Sequence, residues 1–238
     1  LEYVPYMHMK QKDFMFNEII CSVSDFFRYV GVCEVVRFMG GEVFLYPKLK
    51  ELIQHLYEKY VFTEKVRKIV VTTNGTLIPE ETVLEVLKKY DVLVEISDYR
   101  KAIQDKSKVD ELIENFKREG ISYSLTENYG GKDKQKWFDL GDPSKTHNMD
   151  EIELQQYYEK CVIDSCMTVW NSKMFNCPCV ASSVMNLGRA EKDNDYCDLK
   201  TDNKIRFMKY FLGYNDKGYF DFCNYCNGYG KYLNKAEI

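Results

Sequence analysis

Nine of the 238 residues are cysteine, and they are unevenly placed. Cys21 and Cys33 stand alone near the start. No other follows until Cys161, after which Cys166, Cys177, Cys179, Cys197, Cys223 and Cys226 crowd the C-terminal third. An odd count argues against a closed disulfide framework and for reduced thiols that hold metal. Cys177-Pro178-Cys179 and Cys223-Asn224-Tyr225-Cys226 pair thiols closely enough to close around zinc or to hold an iron-sulfur cluster, and spacing alone does not separate the two. Cys21, inside a helical pattern, Cys33, inside a strand-like run, and Cys197, in DYCDLK, read as small buried residues rather than ligands. His8, His55 and His147 occur singly, with no HxxxH pair or neighbouring cysteine, and read as solvated or core histidines.

A second set of polar residues follows apolar, β-branched runs. Met39-Gly40-Gly41-Glu42 offers two glycines where backbone can approach a ligand, then a carboxylate; Thr72-Thr73-Asn74-Gly75-Thr76 and Glu95-Ile96-Ser97-Asp98-Tyr99 end later runs in the same way. Each has a plainer reading. Gly-Gly makes a turn, Asn-Gly suits a hairpin, and Ser-Asp caps a helix. Against the hairpin, Pro79 and a helical pattern follow Asn74-Gly75, so the chain leaves that strand toward a helix.

The elements that must carry these residues are legible. Apolar residues at three- to four-residue spacing from Asp13 to Val30 describe an opening helix stopped by Gly31. Four strand-like runs follow, at 32–39, 66–73, 91–97 and 121–127, separated by amphipathic patterns after Pro47, after Pro79 and up to Gly120. The repeat of roughly 30 residues is that of βα units, which build a parallel sheet, barrel-like or doubly wound. In such sheets ligands collect at the C-terminal strand ends, where all three polar stretches fall. Residues 128–150 lose periodicity and read as a connector. Beyond them a helix over 149–160 and short strands around 173–175 are expected, with little other regular structure.

Composition excludes several classes. With 45% hydrophobic residues the chain can bury a true core, so neither a stapled mini-protein nor wholesale disorder fits. A net charge of -4 without a basic stripe makes nucleic acid a poor partner. No apolar run reaches the ~20 residues of a membrane span, and no signal core opens the sequence, so a cytoplasmic protein that avoids membranes is expected.

GGEVFLYPKLKELI, VVTTNGTLI and VEISDYR together resemble the core of radical S-adenosylmethionine enzymes. The resemblance implies that Gly40, Gly41 and Glu42 meet the methionine amino group of S-adenosylmethionine, and that Thr73, Asn74, Ser97 and Asp98 meet its ribose and carboxylate. The cysteine-bearing tail is similar to the SPASM or shortened twitch extension that holds an auxiliary [4Fe-4S] cluster. On that resemblance the ligands are Cys166, Cys177, Cys223 and Cys226, with Cys161 and Cys179 as substitutes. WFDLGD at 137–142, with the closing cysteine motif, resembles family members associated with polysaccharide biosynthesis.

The expected architecture is α/β, a partial parallel βα (TIM-like) barrel missing its first strand, with a small cysteine-rich C-terminal domain: core 1–127, connector 128–150, auxiliary-cluster domain 151–238. The expected activity is hydrogen-atom abstraction under anaerobic conditions from a sugar, a nucleotide sugar or a peptide. An electron donor such as flavodoxin or ferredoxin would serve it, and no catalytic side chain is assigned. A zinc-stabilised, non-catalytic binding protein on the same scaffold is the alternative. The family cleaves its cofactor with a second [4Fe-4S] cluster on a CxxxCxxC loop, and no such triplet occurs in these 238 residues. This chain alone is therefore expected to be inactive. Three such cysteines and an apolar strand are expected ahead of Leu1 in the intact protein, since LEYVPYMHMKQKDFMF resembles the stretch that follows that loop.

Overall fold

The computed structural model describes residues 14–100, 107–126, 136–138, 141–142, 145–161, 167–187, 194–214, 216–228 and 232–234. The chain divides into two compact units, Val30–Lys136 with Asn234–Ile238, and Leu1–Tyr29 with Trp137–Leu233.

The first of these is built on a four-stranded sheet of β1 (Cys33–Phe38), β2 (Val66–Thr73), β3 (Leu93–Ser97) and β4 (Tyr123–Thr126), in that order and all parallel. Helices α2 (Leu49–Leu56), α3 (Glu81–Lys89) and α4 (Ser107–Glu119) supply the crossovers. This is the α/β arrangement of a partial βα barrel, as the repeat predicts. Strand pairing fixes two faces, because partners in register point the same way. Val71 pairs with Val94 and Thr73 with Ile96; these residues and Ile69 are buried, and Ile96 and Val109 of α4 both close on Gly75, leaving no room for a side chain there. Leu49, Leu52, Ile53 and Leu56 of α2, Leu87 of α3 and Leu112 and Phe116 of α4 complete that core. Each such side chain contributes ~1.5–3 kcal/mol on leaving water. Gly120 ends α4 with φ +69°, a left-handed value that glycine adopts without strain.

The other unit opens with α1 (Phe16–Phe26), so this helix groups with the cysteine-bearing residues and not with the parallel sheet, a different division from boundaries at 127 and 150. Its Ser22 hydroxyl accepts the Ser172 N–H at 2.9 Å, and Phe26 meets Phe207 edge-on. β6 (Thr168–Trp170) and β7 (Lys173–Phe175) form a hairpin through Asn171-Ser172, both at positive φ, the conformation that matches a two-residue turn to strand twist. β8 (Cys197–Asp198) joins β7 antiparallel, while β5 (Lys136–Phe138) pairs with β9 (Tyr232–Asn234).

α5 (Glu151–Glu159) matches expectation, started by Asp150, whose carboxylate caps the Glu153 N–H at 2.9 Å. Two further helices, α6 (Pro178–Leu187) and α7 (Lys204–Phe211), correct the expectation of little regular structure. The six consecutive residues Cys179 to Val184 are all buried, so α6 carries no polar face to give a 3.6-residue period; α7 leaves Ile205 and Met208 exposed, which blurs its stripe. A second correction concerns Cys21, which is exposed. The buried positions of α1 are Ser22 and Phe26, and Cys21 lies one residue, about 100° of helix, from that line. Cys33 is only half-buried, since β1 is an edge strand, whereas Cys197 is fully buried as expected.

Candidate functional site

At the C-terminal ends of β1 and β2 one carboxylate gathers three donors. Glu42 Oε1 accepts the Phe44 N–H at 3.1 Å and the Thr73 hydroxyl at 2.8 Å, and Oε2 accepts the Asn74 N–H at 2.9 Å. A carboxylate has about four acceptor positions, so one stays open on Oε2, suited to a positively charged N–H. Thr73 is buried, and its oxygen also accepts the Gly75 N–H at 3.0 Å. Its one O–H donor is spent on orienting Glu42, which leaves a single acceptor position on the hydroxyl. Asn74 accepts the N–H and hydroxyl of Thr76 on Oδ1, at 2.9 and 2.6 Å, which leaves its Nδ2 donors available. A side chain at Gly40 or Gly41 would meet nothing among the described residues within 4 Å, which leaves open space beside Glu42.

Asp98 is differently engaged. Both its oxygens bind the Arg100 guanidinium, at 2.9 and 2.6 Å, and Arg100 also reaches Asp110 at 2.7 Å. The hydrogen bonds it donates to Asp98 and Asp110 hold the guanidinium pKa well above its ordinary value. Ser97 is buried beside it. Gly40, Gly41, Glu42, Thr73 and Asn74 thus share one corner, while Ser97 and Asp98 end the neighbouring strand.

The thiols form the second centre. Cys177 caps α6: Pro178 takes the first helical position, the Ala181 N–H bonds the Cys177 carbonyl at 3.2 Å, and the N–H groups of Cys179 and Val180 point at its sulfur. A hydrogen bond from the Cys179 thiol and these backbone donors lower the Cys177 pKa, while the same thiol contact and burial raise that of Cys179. Cys177 is therefore the first of the pair to ionise. Burial also raises Cys223, and the nearby thiols of Cys177, Cys226 and Cys161 add to that rise, as the same three add to the rise at Cys179. Five thiols share one neighbourhood. Cys166 lies outside the described residues, as does His8. Cys197 stands apart, its thiol pushed up to about 12 by burial and by Asp202.

The loop bearing Cys223 and Cys226 is braced from several sides. Asn224 accepts the His147 N–H on its carbonyl at 2.7 Å and the Met149 N–H on its side chain at 3.1 Å. The Gly228 N–H donates to the Cys226 sulfur at 3.3 Å, and the Tyr157 hydroxyl donates to the Cys226 carbonyl at 2.7 Å. Nothing in the sequence singles out Tyr157 or Asn224, because their roles depend on contacts 69 to 75 residues away. Among the described residues no three His, Cys, Asp or Glu side chains close on a single point as ligands of one ion. A four-iron cluster asks for a wider set, since each thiolate meets its own iron.

The parallel strands, the glycine-flanked Glu42 at their mouth and the Asn74 corner all lie in one stretch of sequence. Residues 23–135 match the model of the Radical SAM superfamily. No curated protein matches the chain. The matching segment takes in β1 to β4 and every strand-end residue described above, and it stops ahead of the thiol neighbourhood. Among the described residues no helix is long and apolar enough to cross a membrane.

Proposed function

We propose that the chain serves a radical S-adenosylmethionine enzyme, with the cofactor held at the Glu42–Asn74 corner and an auxiliary [4Fe-4S] cluster held in a SPASM- or twitch-like tail. The observation that carries this reading is the carboxylate of Glu42, fixed by Thr73 with one acceptor position open, inside the segment that matches the Radical SAM model. Glu42 would hold the cofactor's ammonium, Asn74 Nδ2 its carboxylate, and the open space at Gly40 and Gly41 would let it approach. Asp98 would meet the ribose only by sharing its oxygens with Arg100. In this family S-adenosylmethionine is the source of a radical that removes a substrate hydrogen atom. These 238 residues contain no CxxxCxxC triplet, so none of them is assigned to the cofactor-cleaving cluster.

For the auxiliary cluster we assign Cys177, Cys223 and Cys226, with Cys166 as fourth ligand and Cys161 or Cys179 as substitutes. Support comes from the proximity of the described thiols to one another and from the N–H groups aimed at the sulfurs of Cys177 and Cys226. Substrate is a sugar, a nucleotide sugar or a peptide, and flavodoxin or ferredoxin would supply electrons. A zinc-stabilised binding protein is the second reading, favoured by the direct thiol contact of Cys177 and Cys179, which suits two ligands of one ion. Metal and sulfide analysis after purification without oxygen separates them: iron with inorganic sulfide supports the cluster, and zinc without either overturns it.

A further inference from the structure

Helix α7 is apolar on two sides. Its inner side carries the buried Phe207 and Tyr210, with Phe207 edge-on to Phe26 and stacked on Tyr29 at 4.7 Å. On its outer side Ile205, Met208 and Leu212 recur at three- and four-residue spacing and are 71%, 42% and 59% exposed, and Tyr214, past the turn at Gly213, is 70% exposed. A surface helix ordinarily turns polar residues to water there. Together with Lys204 and Lys209 these four residues line an open groove of about 540 Å³. An exposed apolar patch with a charged rim marks a protein–protein surface.

The rim has one sign. α7 carries Lys204, Arg206 and Lys209 and no acidic residue. Arg206 is bound to Asp202 at 2.9 Å, and the charge of Asp216 also acts on it, whereas Lys204 and Lys209 form no ion pair among the described residues. The groove therefore presents two uncompensated positive charges on a chain whose net charge is -4. The inner side of the same helix reaches the thiol centre. Tyr210 accepts the Asn176 backbone N–H on its hydroxyl at 3.5 Å and the Asn176 side-chain N–H on its carbonyl, and Asn176 directly precedes Cys177. Groove and Asn176 thus stand on opposite sides of one helix, ~10–12 Å apart.

We propose that this groove docks an acidic one-electron carrier protein of the flavodoxin or ferredoxin kind, and that electrons enter the tail through it. Carboxylates around the carrier's exposed redox group would meet Lys204 and Lys209, and its apolar centre would cover Ile205, Met208 and Leu212. One electron leaves the reduced carrier and one is taken up by the cluster, with no bond made or broken. The electron entry rests on the cluster proposed above; the docking does not. Two other occupants fit less well. An isologous pair of copies would set the lysines of one groove against those of the other. To an anionic membrane, a helix of about 12 Å brings only three apolar side chains, whereas encounters between redox proteins bury less than ~1,200 Å² and suit so short a face.

Calorimetric titration of the whole chain, purified without oxygen, with a flavodoxin and separately with a plant-type ferredoxin tests the proposal. At least one carrier is expected to bind, more weakly as salt rises. K204E/K209E is expected to raise its dissociation constant about tenfold or more and I205S/L212S several-fold, with the parent's unfolding temperature kept. K88E/K89E, the same change of net charge on α3 of the other unit, is expected to leave binding within about twofold of the parent. No binding of either carrier, equal weakening by both lysine pairs, or unchanged binding in K204E/K209E would each overturn the inference. So would lysine-dependent binding to phosphatidylglycerol vesicles, or self-association in sedimentation, without carrier binding. Iron and sulfide in the chain without carrier binding overturns the docking surface alone; zinc in the tail with a carrier bound at this groove overturns the cluster and leaves the docking surface standing.

Discussion

The Tyr157 hydroxyl donates to the Cys226 carbonyl at 2.7 Å and lies where a side chain on Gly228 would have to go, also 2.7 Å away. One phenol thus holds the loop of Cys226 in place and requires glycine two residues beyond the thiol. Gly228 has φ +67°, so alanine there costs ~1–2 kcal/mol for the left-handed backbone alone, before any clash. Tyr157→Phe is expected to cost ~1 kcal/mol, the usual value of one hydrogen bond. The double variant Y157F/G228A is expected to be less destabilised than the sum of the singles, because removing the hydroxyl frees the space the methyl needs. Urea unfolding of the four proteins reads this directly, and strict additivity would show that the two residues do not touch.

Thiol reactivity follows exposure in this chain. Cys21 and Cys161 are exposed, whereas Cys197 is fully buried with its thiol pushed up to about 12 by burial and Asp202. Alkylation of the metal-free protein with iodoacetamide near neutral pH, followed by mass spectrometry, is expected to label Cys21 and Cys161 first and Cys197 last. Early labelling of Cys197 would place it outside the core.

The core gives a stability prediction. Leu112 of α4 is fully buried, and Leu112→Ala is expected to cost ~2–5 kcal/mol through lost burial and the cavity left behind. A loss below ~1 kcal/mol in urea unfolding would mean that α4 does not pack on the sheet as described.

Acid should weaken the fold through His55. Burial and then the Lys59 charge lower its pKa below 6.5, so between the folded and unfolded values the unfolded chain binds more protons. The sign is therefore stability that rises with pH, complete above about 6.5 and lost as pH falls from there through the folded value. Thermal unfolding at pH 7.5 and pH 5.5 is expected to show a drop that is smaller in His55→Gln. An equal drop in the variant would assign the effect to other groups.

What the sequence made legible is what local pattern determines. The strand runs at 66–73 and 91–97 appear at β2 and β3 within two residues, because β-branched runs flanked by amphipathic helices leave few alternatives. The corner at Glu42 was found as residue types at a strand end. Its inner wiring was not, since the closing bonds run from Glu42 to Thr73 and Asn74, 31 and 32 residues away. Helix α6 leaves no local signal because Cys179 to Val184 are all buried, and the exposure of Cys21 is not legible because apolar character cannot say which side of the stripe a small residue takes. The pairing of Arg37 with Glu95 depends on strand order, which no local pattern carries.

Thr73→Val keeps the size of the side chain and removes the hydroxyl that orients Glu42. It is expected to weaken S-adenosylmethionine binding less than loss of the carboxylate itself, because the Phe44 and Asn74 N–H groups still hold Glu42. Weakening as large as that of Glu42→Ala would make Thr73 a direct ligand contact.

Calorimetric titration of the anaerobically purified chain with S-adenosylmethionine, beside its Glu42→Ala variant, tests the account most directly. Binding by the parent is expected, weakened in the variant by ~10- to 150-fold, the equivalent of a charge-assisted hydrogen bond of ~1.5–3 kcal/mol. Equal affinity in the two proteins, or no binding to the parent, would contradict the assignment of the Glu42 corner to the cofactor.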